Sequence, residues 1–166
     1  INELVNEALP FLGDIKEELS FIHLAGSNDV PAVELAYREA GIRAEVYDFR
    51  EDMEDLYARA HWVIARSGAM TVSELAAAGR ASLLIPYPFA VDDHQAANAA
   101  YLVGAGAADM IRQEDLTGRR LSSLIREAFG NRKRLAAMGD NAGGAARRDA
   151  AREIADWITD ADAGTP

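Results

Sequence analysis

An α/β fold, in which helices cover both faces of a parallel sheet, is predicted by three features of this sequence. Short apolar runs alternate with segments of helical periodicity along most of the chain. Glycine, proline and small polar residues separate these segments. The length of 166 residues and the apolar content of 49% suit one well-packed domain, because no change of composition marks a second one.

The elements follow in order from these patterns. Strands, which are short and apolar or alternating, are predicted over residues 20–25, 44–49, 62–65, 82–86 and 107–111. Helices, whose apolar residues recur at helical spacing, are predicted over residues 4–12, 31–40, 51–60, 71–78, 93–103, 116–129, 132–140 and 145–159. Gly143 and Gly144 are predicted to break the last helical pattern, and residues 160–166 to form a disordered tail. This alternation of strands and helices is typical of a Rossmann-like sheet.

Ligands of an open parallel sheet bind at the carboxyl ends of its strands. The loops that begin near Gly26, Phe49, Ser67 and Pro86 should therefore lie along one rim. The loop after Pro86 is longer than a plain connection requires and is rich in hydrogen-bonding side chains. We expect the functional site among these loops.

The central segment, residues 62–86, predicts a site for a phosphate group. A short apolar strand leads into Ser67-Gly68-Ala69, whose small residues let a ligand approach the backbone. Thr71 is predicted to open a helix, and the N–H groups and dipole of a helix N-terminus stabilise an anion by about 0.3–1 kcal/mol. Glu74 would lie in the first turn, where a carboxylate can hold two sugar hydroxyls.

Both polar motifs also have a purely structural interpretation. Thr71 and Glu74 have the spacing of a capping box, in which the two side chains satisfy backbone N–H groups at the helix start. Asp92 and Gln95 repeat that spacing in the long loop. Spacing alone leaves binding and capping open at both places.

Composition and charge exclude several classes of function. A formal net charge of −10 argues against nucleic acid as a direct partner, because phosphate backbones require clustered Lys and Arg. The absence of cysteine excludes disulfides and thiolate chemistry, and it favours a cytoplasmic location. Asp92, Asp93 and His94 are consecutive and point in different directions, so we expect no metal site and no cofactor.

Three segments carry a resemblance to a known family. Residues 66–79 (RSGAMTVSELAAAG), 93–99 (DHQAANA) and 104–108 (GAGAA) closely resemble the donor-binding half of the MurG family. These bacterial enzymes move N-acetylglucosamine from UDP-N-acetylglucosamine onto the lipid-linked muramoyl-pentapeptide of peptidoglycan. The resemblance runs from Ile1 to about Ile154, and it implies the C-terminal domain of a two-domain GT-B glycosyltransferase. Residues 1–159 would form this UDP-sugar donor-binding domain.

The resemblance also implies roles for individual residues. The backbone of the segment that opens the central helix would face the donor diphosphate, and this segment comprises Ala69, Met70, Thr71, Val72 and Ser73. Glu74 would hold the ribose hydroxyls. The main chain of Arg50 would read the uracil edge, and Gln95 with His94 would bind the hydroxyls of N-acetylglucosamine. No catalytic residue of this chain is implied.

The sequence departs from the family pattern in two places. The family's first strand of this domain and the glycine-rich loop after it would precede Ile1, and a sheet without a central strand is expected to show a gap or a changed order. The acceptor-binding N-terminal domain, with the expected general base and the membrane-contacting patch, would also precede Ile1. The full-length protein is expected to be peripheral on the cytoplasmic face of the cell membrane.

Two other functions fit the same motifs. The chain can be a non-catalytic nucleotide-sugar-binding subunit that pairs with a separate partner chain. It can also belong to another GT-B enzyme, such as a sugar-nucleotide epimerase. Product analysis with UDP-N-acetylglucosamine distinguishes transfer from epimerisation.

Overall fold

The structure is a computed structural model, and it describes residues 1–147 together with 149, 152, 155, 157 and 158. Within these residues the strands are β1 (Ser20–Leu24), β2 (Arg43–Tyr47), β3 (Val63–Ala65), β4 (Ser82–Leu84) and β5 (Ala108–Met110). The helices are α1 (Asn2–Ala8), α2 (Val30–Ala40), α3 (Met53–Arg59), α4 (Ala69–Ala78), α5 (His94–Gly104), α6 (Gly118–Gly130) and α7 (Arg132–Ala145). The predicted tail and seven of the fifteen residues of the predicted helix over 145–159 lie outside the described residues.

The strands are parallel, but their backbone hydrogen bonds form two sheets. One sheet has the order β1-β2, and the other has the order β3-β4-β5. Within the described residues, no ladder of backbone hydrogen bonds joins the two sheets. Both sheets nevertheless pack into the same core, which includes Ala25 directly after β1 and Leu83 of β4.

Helices cover both faces of the sheets, as predicted. Adjacent residues of a strand point to opposite faces, and the central strand β4 shows this most clearly. Leu83 packs into a core formed largely by α1, α2 and α6, whereas Leu84 packs into a second core formed by α3, α4, α5 and α7. Both leucines are 0% exposed. The continuous apolar run of β4 therefore reflects burial on two sides.

The predicted break at Gly143 and Gly144 is wrong, because α7 continues through both residues to Ala145. The glycines on this helix have a packing role. A Cβ on Gly139 would lie 2.9 Å from the carbonyl oxygen of Gly79, and Gly143 also faces Gly79. Gly79 ends α4 with a left-handed φ of 62°. Because Gly139 and Gly143 have no side chains, the backbone of α7 approaches the end of α4 closely.

Candidate functional site

The candidate site lies at the carboxyl ends of the strands, where the sequence places it. Residues 48–50 follow β2, residues 66–68 follow β3, and residues 85–93 follow β4. Parallel strands end at one edge of a sheet, so the last two of these segments meet along the rim of the β3-β4-β5 sheet. Three large apolar side chains on these segments and at the start of α4 are strongly exposed, namely Phe49 (70%), Met70 (78%) and Phe89 (80%).

Helix α4 begins two residues earlier than predicted. Gly68 is its N-cap, with an extended backbone (φ −61°, ψ 151°), and no side chain caps the helix. The first three helical residues, Ala69, Met70 and Thr71, therefore present backbone N–H groups that have no acceptor within the helix. These N–H groups and the positive end of the helix dipole form a place for an anion.

The capping-box interpretation of Thr71 and Glu74 is wrong. Thr71 is the third helical residue and not the N-cap, and Glu74 lies in the second turn and not the first. The carboxylate of Glu74 accepts a hydrogen bond from the hydroxyl of Tyr57, at 3.0 Å. The half-buried Glu74 is therefore oriented by a side chain of α3.

The phenol of Tyr57 is a hydrogen-bond donor in this pair. Its side chain lies in the second core, with Val72, Leu75 and Ala76 of α4, and Tyr57 is only 7% exposed. Burial and the neighbouring Glu74 carboxylate raise the pKa of the Tyr57 hydroxyl above its ordinary value. The O–H group therefore stays protonated throughout the neutral range.

Val72 and Ser73 complete the segment implied by the resemblance, and Val72 is buried whereas Ser73 is exposed. Val72 is 6% exposed and packs into the second core. The hydroxyl of Ser73 donates a hydrogen bond to the carbonyl of Ala69, at 2.9 Å. Backbone groups, and not these two side chains, are what the segment can offer a ligand.

Arg50 directs its side chain along the protein surface. Its guanidinium forms a paired hydrogen bond with Asp52 and lies 4.8 Å from the centre of the Tyr47 ring. The ion pair with Asp52 raises the pKa of Arg50 further above its ordinary value. The side chain of Arg50 thus has partners within the protein, and the main-chain role implied by the resemblance stays a prediction.

Gln95 lies at the start of α5, and the capping interpretation is wrong here as well. The N-cap of α5 is Asp93, and no side chain caps the helix. The Gln95 side-chain carbonyl instead accepts a hydrogen bond from the backbone N–H of Tyr87, at 2.9 Å. This bond fixes the amide, and it leaves the NH₂ group of Gln95 to donate elsewhere. His94, the first residue of α5, is exposed beside it.

The turn before α5 has an unusual backbone. Asp92 and Asp93 have positive φ values of 49° and 53°, in the left-handed region that non-glycine residues rarely adopt. The Arg112 guanidinium, which hydrogen-bonds both carboxylate oxygens of Asp93, holds that residue in place. The same contact keeps the pKa of the Asp93 carboxyl below its usual range.

The sequence patterns assigned no role to Arg66. Its guanidinium donates hydrogen bonds to the carbonyl oxygens of Ile85 and Pro86, at 3.2 and 3.0 Å, and to the side-chain oxygen of Gln113, at 2.5 Å. It also lies 5.5 Å from the centre of the Tyr87 ring. Burial lowers the pKa of Arg66 from its ordinary value. Its three acceptors are uncharged, so a half-buried cation at this rim keeps its positive charge without a carboxylate partner.

A further contact joins the two helix starts. The side-chain amide of Asn98 on α5 donates to the carbonyl of Ser67, directly before α4, at 3.1 Å. Asn98 and Arg66 thus connect the loop before α4 with the loop before α5.

The sequence patterns gave no role to Arg66, Asn98 or Tyr57, because the partners of these residues are 17 to 47 positions away. The only available signal was the position of Arg66 directly beside Ser67-Gly68.

Among the described residues, no group of three or more His, Asp or Glu side chains is placed to hold a metal ion. Nor does that part of the chain contain a helix long and apolar enough to cross a membrane.

Comparison with known proteins identifies the family. Residues 1–154 match the glycosyltransferase family 28 C-terminal domain. The chain belongs to this family. A relative from Myxococcus xanthus is 47% identical over 160 residues and is named UDP-N-acetylglucosamine--N-acetylmuramyl-(pentapeptide) pyrophosphoryl-undecaprenol N-acetylglucosamine transferase. A Geobacter metallireducens relative with the same name is 43% identical over 156 residues.

The family 28 chain spans less than half of these relatives. The matches cover 96% and 94% of the chain but only 42% and 43% of the two relatives. Among solved structures, MurG from Acinetobacter baumannii is 35% identical with a TM-score of 0.82, over 95% of this chain and 48% of that one. The calicheamicin glycosyltransferase CalG4 is 18% identical with a TM-score of 0.64, covering 97% and 40%, and it supports the GT-B fold alone.

Proposed function

We propose that this chain binds UDP-N-acetylglucosamine and is the donor-binding domain of a transferase. The transferase moves N-acetylglucosamine to a lipid-linked muramoyl-pentapeptide in peptidoglycan synthesis, as the names of the relatives describe for those proteins. Acceptor binding is assigned to residues outside this chain, corresponding to the part of the relatives that the chain does not match. The complete protein would act at the cytoplasmic face of the cell membrane.

The observation that carries the proposal is the uncapped start of α4 at the strand rim. The N–H groups of Ala69, Met70 and Thr71 offer the diphosphate several hydrogen bonds, and no side chain in the described part of the chain caps this helix. Glu74 lies about one turn beyond Thr71 on the same helix. We therefore assign it to the ribose, which is the group next to the diphosphate in the donor. A carboxylate there accepts from two adjacent hydroxyls.

The sugar end of the donor is assigned to the start of α5. Asn98 holds this helix against the loop before α4, so Gln95 and the diphosphate site belong to one rim. The free NH₂ group of Gln95 donates to a sugar hydroxyl, and His94 adjoins it. Because a hydroxyl's position decides whether this bond forms, Gln95 would select the sugar more than the nucleotide.

The contribution of this chain to catalysis is electrostatic. When the bond to the anomeric carbon breaks, negative charge develops on the departing UDP. The helix dipole of α4 stabilises that charge, and the nearby guanidinium of Arg66 adds a fixed positive charge. Deprotonation of the acceptor hydroxyl requires a base on the opposite side of the anomeric carbon, which we place outside this chain.

Calorimetric titration of the purified chain tests donor binding. We expect UDP-N-acetylglucosamine and UDP to bind in the presence of a metal chelator, and ADP to bind at least about tenfold more weakly. The comparison with ADP separates uracil recognition from general diphosphate binding. Equal affinity for ADP and UDP, or no binding of either, would contradict the proposal.

A transfer assay tests the division of labour. The chain alone should give no transfer to a lipid-linked muramoyl acceptor, because positioning of the acceptor can supply about 7–11 kcal/mol of the barrier. Addition of the N-terminal part of the Myxococcus xanthus relative, covalently or in trans, should restore transfer. Stoichiometric, acceptor-dependent transfer by the chain alone would contradict this assignment and would direct the search for a base to His94.

A further inference from the structure

We propose that Tyr57 is a positioning residue that orients the carboxylate of Glu74 for the donor ribose. The inference rests on the proposed function, and it adds a residue to which neither the motifs nor the comparisons assign a role. Its basis is the hydrogen bond from the Tyr57 hydroxyl to Oε2 of Glu74, 3.0 Å long, across the contact between α3 and α4.

Glu74 needs such a partner because nothing on its own helix fixes it. Its side chain has three rotatable bonds and is half-buried in the second turn of α4. In the described part of the chain, Tyr57 is the hydrogen-bond donor that the structure gives this carboxylate. Without it, the carboxylate would have to lose rotamer freedom when the nucleotide binds, which weakens affinity.

Tyr57 is suited to the task because its own position is fixed. The ring has two rotatable bonds and is packed among Val72, Leu75 and Ala76, the residues that flank Glu74 on α4. The hydroxyl therefore reaches one carboxylate oxygen in a set geometry. A carboxylate has about four acceptor positions, so Oε1 and part of Oε2 remain for the two ribose hydroxyls.

Charge favours the same arrangement. The Tyr57 hydroxyl is a neutral donor at physiological pH, since burial and Glu74 both raise its pKa. A neutral donor orients the carboxylate without cancelling its charge, whereas a Lys or Arg in the same place would compete with the ribose. The charge of a carboxylate strengthens the hydrogen bonds that it accepts from hydroxyls.

A purely structural role for the hydroxyl is the alternative, because buried tyrosines usually find a partner. Tyr37 provides the comparison within this chain. It is 3% exposed, its pKa is also raised by burial, and its hydroxyl hydrogen-bonds a side chain, Nδ1 of His23, at 3.1 Å. Tyr37 belongs to the first core on the opposite face of the sheets, away from Glu74. Removing its hydroxyl is therefore a matched control.

The test compares Tyr57→Phe and Tyr37→Phe with two probes, UDP and 2′,3′-dideoxy-UDP, by calorimetric titration of the 166-residue chain. Tyr57→Phe should weaken UDP binding about 3- to 10-fold, corresponding to part of a charged hydrogen bond, and should leave dideoxy-UDP binding within about twofold. Tyr37→Phe should change neither affinity. The double variant Tyr57→Phe with Glu74→Ala should bind UDP no more weakly than Glu74→Ala alone.

The outcomes distinguish this inference from the proposed function. If Tyr57→Phe binds UDP as tightly as the unmodified chain, or loses both probes equally, Tyr57 does not position Glu74, although donor binding stands. If the unmodified chain binds neither probe, the proposed function fails and this inference fails with it. Thermal unfolding of both Tyr→Phe variants checks that each remains folded.

Discussion

The starts of α4 and α5 face the same rim and are built in opposite ways. Helix α4 follows Gly68, whose backbone is ordinary and extended, with φ −61° and ψ 151°. Helix α5 follows Asp92 and Asp93, both of which have left-handed backbones. Neither helix has a side-chain cap, and at α4 the first N–H groups have no acceptor within the helix.

The difference lies in what determines each geometry. Small residues and a short connection place the start of α4 directly after β3. The start of α5 depends on contacts between distant segments, namely Arg112 with Asp93 and the Tyr87 N–H with Gln95. The backbone before α4 contains no left-handed residue, although Asn98 contacts Ser67 there, whereas the left-handed turn before α5 should be sensitive to the loss of either contact that holds it.

The largest expected effect concerns the α4 side. Glu74→Ala should weaken UDP binding by about 1.5–3 kcal/mol, roughly 10- to 100-fold, because charge-assisted hydrogen bonds to the ribose are lost. Calorimetric titration measures the change. Glu54→Ala, on the exposed surface of α3, is the control and should bind UDP normally. Unchanged affinity in a folded Glu74→Ala protein would show that this carboxylate does not contact the nucleotide.

The next effect concerns the backbone before α5. Asp93→Val and Asp93→Gly both remove the ion pair with Arg112, so their difference reports the left-handed backbone alone. The valine variant should have a free energy of unfolding lower than the glycine variant by about 1–2 kcal/mol. Chemical denaturation measures both. Equal stabilities would mean that the turn changes conformation without cost.

The third effect tests the division between sugar and nucleotide. Gln95→Ala should weaken binding of UDP-N-acetylglucosamine by about 0.5–1.5 kcal/mol, the net value of a neutral hydrogen bond, and should leave UDP binding unchanged. Titration with each ligand separates the two. Equal losses for both would instead indicate that the bond from Tyr87 to Gln95 only supports the loop.

The sequence predicted the order of the elements well, because hydrophobic periodicity and the Gly and Pro residues between elements are local signals. The strand before Ser67 is where the pattern places it, and the helices predicted to end at residues 40 and 78 do so, each followed by a left-handed glycine, Gly41 or Gly79. The helix start was predicted two residues too late, at Thr71, because the capping-box spacing of Thr71 and Glu74 was taken to mark it. The N-cap is Gly68, and the helix begins at Ala69. The error at Gly143 and Gly144 came from packing, because contact with Gly79 stabilises a helix of low intrinsic propensity.

The candidate site was predictable only in outline. The motifs indicated which loops and which polar residues to consider, and the resemblance supplied their roles. The partners of those residues were not predictable, because Tyr57, Arg66 and Asn98 contact segments distant in sequence. Tyr57 illustrates the limit, since a tyrosine at an apolar helix position indicates core packing, and only the structure shows where its hydroxyl points.

The smallest expected effect uses pH to separate the two helix starts. Asp93 has a folded-state pKa below its ordinary value because Arg112 hydrogen-bonds its ionised form. The unfolded chain therefore binds this proton more readily, and the stabilisation is present above the unfolded pKa of about 3.9 and lost as the pH falls through the folded pKa. Acidification should loosen the start of α5, whereas no titrating side chain holds the start of α4.

Asp93→Asn isolates this effect from the protonation of other carboxylates. Amide hydrogen exchange at Tyr87, whose N–H donates to the side chain of Gln95, should be slower in the unmodified protein than in Asp93→Asn at pH 6, and the difference should disappear below the folded pKa. Exchange at Val72, whose N–H donates to the carbonyl of Gly68 at the start of α4, should be the same in both proteins at every pH. Because exchange reports local opening, the measurement detects a change too small for global unfolding. An identical pH dependence at Tyr87 in both proteins would show that Arg112 does not hold this turn through Asp93, and the contrast between the two helix starts would then rest on backbone geometry alone.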